Sequence, residues 1–129
     1  MGSIDVVRGF IARINDHDVD GLSAMLTENH RFIDSLGSVF VGRETLRAGW
    51  ADYFRLVSEY RITIDEFADG EPSLLLVGSV AGRSGGVEWT VPAAWRAVVH
   101  HGRLAEWQVY VDNEPLRASL RFPDPPPAA

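Results

Sequence analysis

The spacing of apolar residues changes at Ser58, from the period of a helix to the period of a strand. Upstream, Leu46, Trp50, Tyr53, Phe54 and Val57 recur at helical steps. Downstream, Trp89, Val91, Ala93, Trp95, Ala97 and Val99 fall on one side of a single pleat. A chain that places its helices first and its strands last folds as α+β, with the helices lying on one sheet. The one exception to that order is a short strand among the helices.

In chain order, Ser3 is the expected N-cap of a first helix ending near Asn15, with Ile4, Val7, Phe10, Ile11 and Ile14 on its apolar stripe. Asn15-Asp16-His17-Asp18 breaks it, and Asp18 or Asp20 caps a short second helix through Leu22, Met25 and Leu26. A strand from His30 to Ser35 and a turn at Leu36-Gly37-Ser38 come next. Gly42-Arg43-Glu44-Thr45 then opens the third helix. Tyr60, Ile62 and Ile64 alternate on a strand, and Asp69 to Pro72 is a turn. Leu74-Leu75-Leu76-Val77 has the unbroken apolar run of a strand covered on both faces. Pro92 inside the strand from Val87 to Val99 implies a bulge or an edge there. His100 to Arg103 turns into a last strand, Leu104 to Asp112. The expected architecture is three helices followed by a four-stranded antiparallel sheet, with one short strand between the second and third helices: an α+β layer fold. One domain spans residues 1–121, Pro115 to Leu120 forms a terminal helical turn, and the Pro-rich tail 122–129 stays unfolded.

A chain of 129 residues can bury roughly 70% of its unfolded surface in one core. A net charge of −6, with no run of four basic residues, argues against nucleic acid. No apolar run approaches the ~20 residues that cross a bilayer. The absence of cysteine excludes disulfides, thiolate catalysis and Cys-ligated zinc. Met-Gly-Ser-Ile-Asp has no basic leader, so a cytoplasmic location is expected.

The chemistry concentrates between His30 and Leu46. Asp34 sits between bulky apolar residues at the end of a short strand. Burial against Phe32, Trp50 and Phe54 would strip water from it and suit it to general-base catalysis; a solvated turn aspartate is the plainer alternative. Asp112 is a second candidate acid or base. Strand parity sets it opposite Trp107 and Val109, so only a bulge or the strand's end would turn it inward. Arg96, between Trp95 and Ala97, would pair with Asp34 or bind an anionic group if it pointed inward, and is a surface residue otherwise. His30 shares the Asp34 face. His17, His100 and His101 are scattered, so no metal site is expected and no cofactor is called for. Phe10, His30, Phe32, Trp50, Tyr53, Phe54, Trp89, Trp95, Trp107 and Tyr110 are candidate substrate-binding walls for a flat apolar ligand, or else core filling.

The order of elements, and the residues carrying it, resemble the nuclear transport factor 2-like superfamily, which includes the SnoaL-like polyketide cyclases. The stretch Val6 to Asn15 followed by Asp18-Val19-Asp20-Gly21-Leu22 resembles the start of the ketosteroid isomerase branch. Asp34-Ser35-Leu36-Gly37-Ser38 resembles its Asp-Pro-Val-Gly-Ser, in which the Asp is the general base. Pro92 and Gly102-Arg103-Leu104 fall near equivalent places. The resemblance covers roughly residues 4–113 and implies a conical α+β fold of three N-terminal helices on a curved, mostly antiparallel sheet enclosing a pocket, an apolar substrate and a homodimer through the outer face of the sheet.

Phe10 and Ala94 stand where the isomerase has the Tyr and protonated Asp of its oxyanion hole. Neither side chain donates a hydrogen bond. Losing one such donor costs ~10²–10³ in rate, so steroid isomerisation by that route is not expected. Trp107-Gln108-Val109-Tyr110-Val111-Asp112 also resembles the last strand of limonene-epoxide hydrolases at Trp, Tyr and Asp. Leu76-Val77-Gly78-Ser79 carries no charge where those enzymes place an Arg-x-Asp. Two function classes follow: a cofactor-independent isomerase- or cyclase-like acid/base enzyme using Asp34, or a non-catalytic binding protein that keeps the pocket.

Overall fold

The computed structural model describes residues 2–111; Asp112, the expected turn at Pro115 to Leu120 and the Pro-rich tail lie outside them. Helix α1 spans Ser3–Asn15, α2 Val19–Ala24 and α3 Arg43–Leu56. The strands are β1 Leu26–Ile33, β2 Val39–Val41, β3 Ser58–Ala68, β4 Ser73–Ser84, β5 Val87–His100 and β6 Arg103–Val111. The helices pack on one face of an open, curved sheet ordered β2-β1-β6-β5-β4-β3. All neighbours are antiparallel except β1 and β6, which run parallel.

Helix α1 buries Val6, Val7, Phe10, Ile11 and Ile14 on the stripe their spacing dictates. Its N-cap is Gly2 rather than Ser3: the Gly2 carbonyl accepts from Asp5 and Val6, and no side chain caps the helix. Asp18 caps α2, its Oδ1 accepting from Gly21 N–H at 2.9 Å. Leu26, expected in that helix, begins β1 instead.

Helix α1 rests on β3, β5 and β6, and α3 rests on β1, β2 and β3. Between them, Phe10 meets Trp50 and Trp107 edge-to-face at centroid distances of 6.4 and 5.1 Å. Phe10, Trp95, Trp107, Leu22, Leu26 and Leu104 are all sealed from solvent. Each such side chain contributes about 1.5–3 kcal/mol of transfer free energy.

Three strand expectations change. The Leu74–Val77 run is covered on one face only: Leu74 and Leu76 are buried, while Leu75 and Val77 are half exposed on the outer face. Pro92 causes no bulge against β4, because the β4–β5 register is unshifted from Ser73↔Val98 to Ser84↔Val87. On its other side the described β6 ladder ends at Ala93↔Val111. Strand β2 was not anticipated. Its three exposed residues show no alternation and depend on pairing with β1.

Candidate functional site

The inner face of the sheet, α3 and the β1–β2 hairpin enclose a cavity of about 420 Å³. On α3, Leu46, Gly49, Trp50 and Tyr53 lie at steps of three and four, so one helical stripe forms a wall. Strand parity supplies the opposite wall: Trp89, Val91 and Trp95 from β5, and Trp107, Val109 and Val111 from β6. Val80 and Tyr60 extend it onto β4 and β3, and Phe32, Asp34, Ser35 and Phe40 form the hairpin side. Asp34 is the only charged residue among the lining residues described.

Asp34 follows the last residue of β1. Its Oδ1 accepts from Leu36 N–H and Ser38 N–H, both at 2.9 Å. Its backbone closes the same turn, receiving from Gly37 N–H and donating to the Ser38 carbonyl. Gly37, at φ 86°, supplies the left-handed conformation that the turn needs. Asp34 is therefore both a turn residue and a wall residue. One oxygen organises the loop, and the turn's two N–H donors leave Oδ2 unengaged.

Two tyrosines add hydroxyls. Tyr60 is almost wholly buried and meets Tyr53 edge-to-face at 5.0 Å. Burial pushes the Tyr60 phenol well above its ordinary range, and neighbouring Tyr53 adds to the shift. Burial also raises Tyr53. Both stay protonated near neutral pH and act as neutral donors.

Several expected pocket residues sit elsewhere. Phe10 lies behind Trp50 and Trp107 as core. Phe54 turns away from the cavity and stacks on His17, with centroids 4.3 Å apart and planes 4° from parallel. Tyr110 pairs with Ala94 on the outer face and is half exposed. Arg96 also points outward. It pairs with Glu106, which Arg31 approaches at 3.5 Å, so it cannot hold Asp34. His30 is buried but structural, its Nδ1–H donating to the Leu104 carbonyl at 2.7 Å across β1 and β6. Burial lowers the His30 pKa from 6.5, opposed by that bond and by Glu106.

Phe32, Asp34, Trp50, Tyr53, Trp89, Trp95 and Trp107 lie together along the cavity wall. Tyr60, Phe40, Val109 and Val111 were missed. Alternation along the last strand could have indicated the two valines, since they share a face with Trp107. Among the described residues no three His, Asp or Glu side chains converge as a metal site requires. A second, open groove between α2 and α3 is lined by Asp18, Asp20, Glu44 and Arg47 and crossed by an Arg47–Asp20 ion pair, which makes it a solvated cleft. Among the described residues no helix is long and apolar enough to cross a membrane.

A curved sheet roofed by helices around one aromatic cavity is the nuclear transport factor 2-like architecture. The chain belongs to the SnoaL-like domain family, whose pattern matches residues 7–107. Its fold is similar to that of a candidate SnoaL-like polyketide cyclase from Shewanella denitrificans OS-217, at TM-score 0.80 and 18% identity, covering 92% of this chain and 96% of the other. A Catenulispora acidiphila DSM 44928 protein with a ketosteroid isomerase-like fold, solved in complex with trimethylamine, is similar at TM-score 0.80 and 16% identity, with coverage of 95% and 96%. TerC co-crystallised with polyporic acid gives TM-score 0.77 and 13% identity, with coverage of 92% and 98%. At these identities the likeness concerns the fold. No curated protein matches the chain.

Proposed function

We propose that the protein is a cofactor-independent acid/base enzyme of the isomerase or cyclase kind, acting on a flat, apolar, polycyclic or polyketide-like substrate. Asp34 takes a proton from a carbon beside a carbonyl and returns it to the resulting enolate at the same or another carbon. The observation that carries this reading is a single carboxylate on an otherwise uncharged, aromatic cavity wall. Desolvation there strengthens every interaction with developing charge. Tyr60 and Tyr53 are the neutral donors available to an enolate in place of those absent at Phe10 and Ala94. The chain is also proposed to pair with a second copy through the outer sheet face, where Leu75, Val77 and Tyr110 are half exposed.

The test is solvent deuterium uptake by 2-tetralone, followed by NMR. The protein should accelerate exchange over buffer, and Asp34→Asn should lower that acceleration by ~10²–10⁴. Asparagine keeps the oxygen that accepts from Leu36 and Ser38, so the turn survives. A second reading, non-catalytic ligand binding, is favoured by the commitment of Asp34 Oδ1 to the turn. Saturable binding of 2-tetralone without accelerated exchange would establish it.

A further inference from the structure

Trp95 is 1% exposed and forms part of the cavity wall. Its Nε1–H is buried and has no hydrogen-bond partner among the described residues. Leaving a buried donor unpaired is costly, and such groups are scarce in folded proteins. The immediate neighbours of Trp95 explain why it meets no acceptor there. Across the sheet Trp95 is in register with Leu76 and Val109, both apolar. Trp107 stacks beside it at 6.1 Å with planes 26° apart. The β4, β5 and β6 ladders occupy the neighbouring carbonyls. Among the described residues Thr27 Oγ1 is the other buried side-chain polar atom without a partner, but Thr27 does not border the cavity.

We infer that the Trp95 indole N–H is a ligand-binding donor. The molecule that fills the cavity presents an acceptor oxygen, of carbonyl or phenol type, to it. This inference rests on the proposal that the cavity holds a flat apolar ligand, and it adds a polar requirement at one point. Asp34 is partly exposed and Trp95 is sealed, so a ligand spanning both has its acceptor oxygen at the inner end and its acidic C–H nearer the mouth. An indole N–H donates and cannot accept, so the site selects for a bare acceptor at that end.

The test compares 1-tetralone with tetralin, which share a ring skeleton and differ in the carbonyl. In ¹H–¹⁵N spectra of the intact protein, 1-tetralone should shift the Trp95 Nε1–H signal downfield and tetralin should not. Trp95→Phe assigns the signal. The parent should bind 1-tetralone roughly three- to tenfold more tightly than tetralin, and in Trp95→Phe that preference should vanish. Comparing two ligands within each variant cancels any general loosening of the wall. If Trp95→Phe does not fold, contacts to Val109 and Leu76 assign the signal in the parent, and the shift decides alone.

Equal binding of both compounds without a shift overturns the inference and leaves the cavity reading intact. A carbonyl preference that survives in Trp95→Phe also overturns it and points to Tyr60 or Tyr53. Binding of neither compound overturns the inference together with the cavity reading beneath it.

Discussion

Asn15 grips the backbone of Ile62 from both sides, its Nδ2 donating to the Ile62 carbonyl at 3.0 Å and its Oδ1 accepting from the Ile62 N–H at 2.8 Å. Ile62 lies on β3, the edge strand of the sheet, and His17 Nε2–H donates to the next outward-facing carbonyl at Tyr60. The polar break after α1 therefore caps a strand edge that would otherwise offer itself to another chain. Asn15→Ala should lower stability by about 1–3 kcal/mol, because it strands both Ile62 groups. Asn15→Asp should not rescue it, since a carboxylate cannot donate to the Ile62 carbonyl. Urea unfolding of the three proteins checks both expectations.

His30 makes stability depend on pH. Its folded-state pKa lies below the ordinary 6.5, chiefly through burial. The unfolded chain therefore binds the proton more readily. Stability is full above pH 6.5 and is lost as pH falls from there toward the lowered folded value. His30→Leu should abolish that slope, even though it sacrifices the Leu104 hydrogen bond and lowers stability at neutral pH. The comparison is of urea midpoints across the acidic range, with the slope as readout rather than the midpoint itself.

Gly78 and Gly82 have different neighbours. A Cβ at Gly78 would run into the Thr63 carbonyl of β3, which the ladder holds in place. At Gly82 it would come within 2.6 Å of Val57 Cγ1 and 2.8 Å of Trp89 Cζ2, both side-chain atoms. Gly82→Ala should cost about 1–3 kcal/mol and push Trp89, a wall residue, which weakens ligand binding. Gly78→Ala should lose more stability, since only backbone movement relieves it. Thermal melts rank the pair, and 1-tetralone titration of Gly82→Ala reads the cavity.

The proposed dimer depends on the outer face. Val77→Asp and Tyr110→Asp should convert dimer to monomer in sedimentation velocity without altering far-UV circular dichroism, because both side chains are already half exposed in the single chain. A parent protein that sediments as a monomer would sink that part of the proposal.

Legibility in the sequence followed locality. The stripe Leu46, Trp50, Tyr53 and the alternation through Trp89, Val91 and Trp95 are set by the helical and strand periods, so these residues could be placed on shared apolar faces in advance, but not sorted into cavity lining and core filling. Asp34 was found through its turn residues. Phe54, only one turn beyond Trp50, could not be separated from the wall because its position depends on His17 from a distant loop. Arg96 faces outward because the inner positions of β5 are Trp95 and Ala97, yet its partner Glu106 lies on another strand. Leu75 and Val77 were misassigned because apolar composition does not say which face has a cover. Parity fixes a residue's face, but it does not name the neighbouring strand.

The position of β6 has a consequence for how the chain is made. Strand β1 is complete early, but of its two sheet partners, β2 and β6, the second is the last described strand, and the His30–Leu104 bond spans 74 residues of sequence. A ribosome exposes the β1–β2 hairpin long before β6 exists, while β3, β4 and β5 can close as successive local hairpins. The nascent chain thus carries two separate sheet fragments, and β6 is the keystone that slots between them. High contact order of this kind slows folding and lengthens the exposure of open edges. The open edges of both fragments therefore wait on β6, the same strand that supplies Trp107, Val109 and Val111 to the cavity.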